Sequence, residues 1–173
     1  MDYRIAIVED NATARTTLRG HLLPIAKLNV SSFGSGVELK SALRKQHFEL
    51  IIMDYHLGQG RTGVEWVQSL KESGFIRPGT GLIFLTSDRS PQTIGRIMDL
   101  QPDALLIKPY TIASLSRQIK HYLSYRQYIE PVLREMDNKQ RPAAITLLRK
   151  KLREGVPPRL ASDVGKLFAK LLF

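Results

Sequence analysis

The sequence predicts an α/β protein: a doubly wound, five-stranded parallel sheet followed by an all-α extension. Three observations predict it. Short apolar runs alternate with helical patterns five times within the first 124 residues, which is the signature of βαβ units. The run Leu50-Ile51-Ile52-Met53 enters Asp54 and a glycine-containing loop without alternating, as a strand covered on both faces does. Beyond residue 124 no strand pattern recurs, and helical stripes separated by short polar breaks take over.

Arg4 to Val8 reads as a buried strand ending at Glu9 and Asp10, and Asn11 is placed to cap a helix carrying Ala12, Ala14, Leu18, Leu22 and Leu23. Leu28 to Phe33 is a second, weaker strand. Ser35-Gly36 opens a helix with Val37, Leu39, Ala42 and Leu43 on its apolar side. Phe48 to Met53 is the third strand; Gly58, Gly60 and Gly63 shape the loop after Asp54, where Arg61 reads as a solvated arginine. Val64, Trp66, Val67 and Leu70 mark a third helix and its core face. Leu82 to Leu85 is a fourth strand closing on Thr86, Ser90-Pro91 opens a fourth helix, Ala104 to Ile107 is the fifth strand, and Thr111 caps a fifth helix.

Parallel strands place their carboxyl ends along one edge, so Glu9, Asp10, Asp54, Thr86 and Lys108 are expected to converge in one cleft. Three carboxylates together repel unless a cation sits among them, and a hard divalent ion such as Mg²⁺ answers that need. A threonine hydroxyl and a lysine ammonium opposite the metal would bind an anion such as phosphate. Such a set suits phosphoryl transfer onto an aspartate, with Asp54 as nucleophile.

The pattern Glu9-Asp10, Asp54, Thr86 and Lys108-Pro109 resembles the receiver domain of bacterial two-component response regulators, and the likeness covers residues 1–124. The resemblance implies a flavodoxin-like sheet and a phosphorelay role. It implies that Asp10 and Asp54 ligate Mg²⁺ with the backbone carbonyl of His56, and that Glu9 acts through water. Asp54 would accept phosphate from a histidine kinase or histidine phosphotransfer protein, Thr86 and Lys108 would bind the phosphoryl group, and the Lys108–Pro109 bond would be cis. It implies a switch with at most slow self-phosphorylation and self-dephosphorylation, not an enzyme proper. Two departures stand out: Leu105 where receivers commonly carry an aromatic residue, and no proline in the loop after Asp54.

Residues 125–173 form the second expected unit. The helix from Thr111 is expected to run past Tyr125 to Met136, with Pro131 able to kink it, and Tyr122, Tyr125 and Tyr128 along one edge. Asp137 to Arg141 is a turn, Pro142 opens a helix with Ala144 and Leu148, Gly155 to Pro158 breaks the chain, and Leu160 to Phe173 is helical again. Ala143, Leu147, Pro157, Pro158, Val164, Gly165 and Phe168 resemble tetratricopeptide spacing over about one and a half repeats. The apolar finish at Phe168–Phe173 suggests a fragment of a longer protein or an end buried against another subunit, a homodimer among the options.

The net charge is +10, and the last 49 residues carry 11 Lys/Arg against 5 Asp/Glu. A basic tail raises nucleic-acid binding by a transcriptional regulator as the alternative function. Against it, no helix-turn-helix spacing is present and the basic residues alternate with leucines as on any solvated amphipathic helix. A protein partner for the tail is therefore expected, with nucleic acid unlikely. Cysteine is absent, so disulfides and thiolate chemistry are excluded. No signal-type or membrane-spanning run occurs, which points to a cytoplasmic protein without membrane contact.

Overall fold

Five apolar runs that cannot satisfy their backbone alone pair side by side into one parallel sheet. In the computed structural model, which describes residues 2–58 and 60–173, the strands are β1 (Tyr3–Val8), β2 (Leu28–Phe33), β3 (Leu50–Asp54), β4 (Gly81–Thr86) and β5 (Ala104–Ile107). Their spatial order is β2-β1-β3-β4-β5, all parallel. The order reverses direction between β1 and β3, so the crevice beyond their carboxyl ends is the point where such sheets bind ligands.

Side chains alternate across the sheet. Ala6, Val8, Ile51, Met53, Leu82 and Phe84 join the core formed with α2 (Gly36–Leu43), α3 (Gly63–Glu72) and α4 (Pro91–Asp99). The intervening Ile5, Ile7, Leu50, Ile52, Ile83 and Leu85 are buried as well, which is why β3 and β4 read as continuous apolar runs. The helix caps follow the expected chemistry. Asn11 accepts from the Ala14 amide ahead of α1 (Ala12–Leu22), Ser35 from Glu38, and Ser90 from Thr93 with Pro91 in the first turn of α4. Thr62 and Glu65 complete a reciprocal capping box on α3.

Some expectations shift. The third strand is two residues later at its start than the pattern from Phe48 suggested, because Phe48 packs into the core just ahead of it. Val37, expected in the apolar stripe of α2, is exposed; Leu39 and Leu43 carry that face instead. Trp66 is only half-buried, its ring filling the space where Gly36 lacks a side chain.

The chain divides into two compact units, Met1–Gln118 and Ile119–Phe173. Helix α5 runs unbroken from Ile112 to Asp137 with Pro131 inside it. The second unit adds α6 (Arg141–Glu154), a single 3₁₀ turn at Pro158–Leu160, and α7 (Ala161–Leu172). Its core includes Ile129, Val132, Ala144, Leu148, Leu160, Val164 and Leu167. Polar ties join its helices: His121 Nε2 lies 2.7 Å from Asp163 Oδ2, and Arg141 Nε donates to the Leu171 carbonyl at 2.6 Å. Tyr122 and Tyr125 pack together in the interior, while Tyr128 lies under the Lys151 ammonium at 4.3 Å. No helix among the described residues is long and apolar enough to cross a membrane.

Candidate functional site

Four of the five strand ends contribute a polar residue to the same edge. Glu9 follows the last residue of β1, Asp54 ends β3, Thr86 ends β4, and Lys108 follows β5. Glu9, Asp54 and Thr86 are all buried. Lys108 reaches across the edge, its Nζ 2.6 Å from Asp54 Oδ2 and 3.1 Å from Glu9 Oε2. The remaining carboxylate oxygens are held by the backbone: His56 N donates to Asp54 Oδ1 at 3.2 Å, and Asn11 N to Glu9 Oε1 at 3.2 Å. Arg15 Nη1 donates to the Glu9 carbonyl at 2.8 Å and fixes the loop after β1. The Lys108–Pro109 bond is cis.

Electrostatics follow from two acids sharing one ammonium in a poorly hydrated place. Burial, together with the hydrogen bond and charge of Asp54, pushes the Glu9 carboxyl above its ordinary value against the opposing pull of Lys108. Burial pulls Lys108 down, but Asp54 and Glu9 outweigh it and hold the ammonium above its usual range. Burial likewise raises the phenol of neighbouring Tyr110. Two carboxyl groups sharing one ammonium are what a divalent cation would relieve. The hard oxygen donors here thus fit Mg²⁺ in kind.

Glu9, Asp54 and Lys108 meet. Asp10 is exposed, with Oδ2 2.9 Å from where a Cβ on Gly58, in the loop after Asp54, would stand. Among the described residues no group of three His, Asp or Glu side chains stands at metal-ligand spacing. The His56 ring turns away from Asp54 toward Asp88, Nε2 to Oδ2 4.0 Å. Glu9, expected to meet the metal through water, pairs with Lys108.

The Thr86 hydroxyl is engaged with its own loop. It accepts from Asp88 N at 3.0 Å, and its proton reaches only the Asp88 carbonyl, at 3.4 Å. Asp88 also accepts from Ser90 N at 2.8 Å and from the buried Thr93 hydroxyl at 2.7 Å, bonds that hold its carboxyl below the ordinary aspartate value. Sequence reasoning passed over Asp88; an aspartate two residues before a capping serine is the Asx-turn signal that could have found it. Tyr55 and Arg96 were passed over as well, and are bonded to each other at 3.3 Å. Arg61 lies over the Trp66 ring at 5.0 Å, a stacked arginine on the surface.

An open cavity of about 460 Å³ leads to the Lys108 side of the site, lined among others by Glu9, Thr17, His21, Ser87 and Tyr110. Gly63 lets the start of α3 come close to the end of β3, since a Cβ there would stand 2.3 Å from the Asp54 carbonyl oxygen. The whole arrangement is a buried carboxylate held by a cation at the rim of a parallel sheet, with an open cavity beside it.

Comparison with known proteins agrees with this geometry. The family model described as the response regulator receiver domain matches residues 5–120. A probable chemotaxis protein CheY from Rhizobium etli is 23% identical over 117 residues, covering 68% of this chain and 89% of that protein. The two-component response regulator ORR3 of Oryza sativa subsp. indica is 29% identical over 116 residues, covering 65% and 85%. Among solved structures, the isolated REC domain of RcsB from Salmonella enterica serovar Typhimurium, in the presence of phosphomimetic BeF3-, superimposes with a TM-score of 0.64. Its identity is 19%, over 72% of this chain and 90% of that one.

Proposed function

Because this chain belongs to the response regulator receiver domain family, we propose that it is a phosphoacceptor switch of a two-component phosphorelay. The observation that carries the reading is the Lys108 ammonium placed 2.6 Å from the Asp54 carboxylate at the carboxyl edge of the sheet. A carboxylate oxygen of Asp54 attacks the phosphorus of a phosphorylated histidine on a histidine kinase or histidine phosphotransfer protein. A P–O bond forms, the P–N bond breaks, and the imidazole leaves with its electron pair. Lys108 stabilises the negative charge on the transferring oxygens, and Thr86 donates to them once its hydroxyl leaves the Asp88 loop.

Asp10, Asp54 and the His56 carbonyl would hold Mg²⁺, with Glu9 through water, and the ion would supply further charge neutralisation to the phosphoryl group. Hydrolysis of the acyl phosphate returns the carboxylate, so the chain acts on itself slowly and turns over no separate substrate. The output is a change of conformation offered to a protein partner through the helices of residues 125–173.

Incubation with a radiolabelled small phosphodonor and Mg²⁺ tests the assignment. Wild type takes up acid-stable, hydroxylamine-sensitive label, and Asp54→Asn takes up none. Label persisting at another residue in Asp54→Asn would overturn it.

A further inference from the structure

Arg96 on α4 donates from Nη1 to the phenol oxygen of Tyr55, 41 positions away in sequence. Tyr55 directly follows Asp54 and is buried. Its main chain is pinned on both sides: its N–H donates to the Leu85 carbonyl at 2.9 Å, and its carbonyl accepts from Gly63 N at 2.8 Å. The backbone of Tyr55 is thus fixed to that of the phosphoacceptor, and its phenol is the far end of a rigid lever reaching α4.

Helix α4 is lightly attached on this side. Only Thr93 and Ile97 are buried along it, and a cavity of about 450 Å³ bordered by Tyr55, Thr62, Val64, Arg96 and Asp99 separates it from α3. Space of that size leaves the helix room to shift, so a single directional bond across it weighs more than in a close-packed interface. On the opposite flank, Leu105 of β5 offers no hydrogen-bonding group through which Thr86 could signal.

We propose that the Tyr55–Arg96 hydrogen bond is a latch that holds α4 in register with the phosphoacceptor strand and carries a change at Asp54 to that helix. The transmission half rests on the phosphoacceptor reading above; the latch itself does not.

Amide hydrogen exchange across residues 91–100 tests it in the full chain, with and without Mg²⁺ and beryllofluoride, whose binding is followed separately by its fluorine resonance. Tyr55→Phe keeps the ring and removes the hydroxyl; Arg96→Ala removes the exposed partner. In the ligand-free protein both variants exchange roughly two- to tenfold faster over this segment, the effect of one lost hydrogen bond. Wild type changes its exchange over 91–100 on binding beryllofluoride, and both variants bind it equally well without that change. Unaltered free-state exchange in both variants overturns the latch. A retained beryllofluoride response in both overturns the transmission. Failure of wild type to bind beryllofluoride overturns the phosphoacceptor reading and transmission together, while the free-state comparison still decides the latch.

Discussion

Lys108 Nζ and Asp54 Oδ2 stand 2.6 Å apart although 54 positions separate the two residues in the chain. The same ammonium also meets Glu9 Oε2 at 3.1 Å, so one cation serves two buried acids. Such a pairing is a poor device for stability, because desolvating three charged groups costs more than one favourable geometry returns. It is a good device for keeping a carboxylate ready to react beside a positive charge.

That imbalance makes stability depend on pH in a stated direction. Glu9 keeps its proton more tightly in the folded chain than its ordinary value of 4.5, chiefly through burial and the neighbouring Asp54. Its contribution to stability is therefore full below pH 4.5 and is lost as pH rises through the raised folded-state value. Lys108 is raised from 10.5, so its contribution is full below pH 10.5 and is lost on the alkaline side as pH passes its folded-state value. Urea unfolding in the presence of a chelator should show the acidic limb in wild type, and Glu9→Gln should abolish it while leaving the alkaline limb in place.

Gly63 governs how closely α3 approaches the end of β3. A methyl group there would stand 2.3 Å from the Asp54 carbonyl oxygen and 2.7 Å from Met53 Cγ, and the first of these is backbone that cannot swing aside. Gly63→Ala should cost roughly 1–3 kcal/mol as overpacking. Since the displaced atom belongs to Asp54, the proposed phosphoacceptor, the labelling rate should fall as well; a variant of unchanged stability and labelling would refute the close approach.

The centre of the sheet was legible because β3 and β4 are covered on both faces and so appear as uninterrupted apolar runs, as Leu50–Met53 does. The residues of the site were legible because parallel strands end on one edge, which brings Glu9, Asp54 and Lys108 together from three distant segments. What the one-dimensional pattern does not carry is side-chain direction. Nothing in Glu9-Asp10 says that the first is buried and the second exposed, nor that the Thr86 hydroxyl would be taken by the loop amide of Asp88. Tyr55 and Arg96 were illegible for a related reason: a tyrosine beside a buried strand reads as core, and an arginine on an amphipathic helix reads as solvated. Only the fold joins them.

Thr93 anchors the β4–α4 loop through its buried hydroxyl, which donates to Asp88 Oδ2 at 2.7 Å. This bond is the largest influence holding the Asp88 carboxyl below 3.8, so Asp88 adds stability above that value that is lost as pH falls through its depressed folded-state pKa. Thr93→Val preserves shape and removes the donor. The Asp88 carboxyl resonance should then titrate at higher pH than in wild type, and an unchanged midpoint would show that the bond does not form in solution.

Pro131 sits inside α5, where it supplies no amide donor and crowds the carbonyl four residues earlier. The helix continues through it because Ile129, Val132 and Leu133 on either side are buried and hold the segment in place. The cost of an interior proline is about 3 kcal/mol when nothing adapts to it. Pro131→Ala should raise the stability of the second unit by about 1 kcal/mol, read as a higher thermal midpoint; a lower midpoint would mean that the bend at proline is needed for packing.

Saturation with a phosphoryl mimic gives the most direct measure of the acidic edge. A ligand that binds only the folded chain stabilises it by about 2.7 kcal/mol at a concentration one hundred times its dissociation constant. For a chain of this size that corresponds to a rise in melting temperature of roughly 5–10 °C. Beryllofluoride with Mg²⁺ should produce that rise in wild type. Removing Mg²⁺ with a chelator should abolish it, because Asp54 and Glu9 together outnumber the single ammonium of Lys108 and a further anion placed among them would be repelled. Asp54→Asn should show no rise under either condition. A full rise in chelator would mean that Lys108 alone suffices to hold the mimic, and that Asp10 has no part in the site.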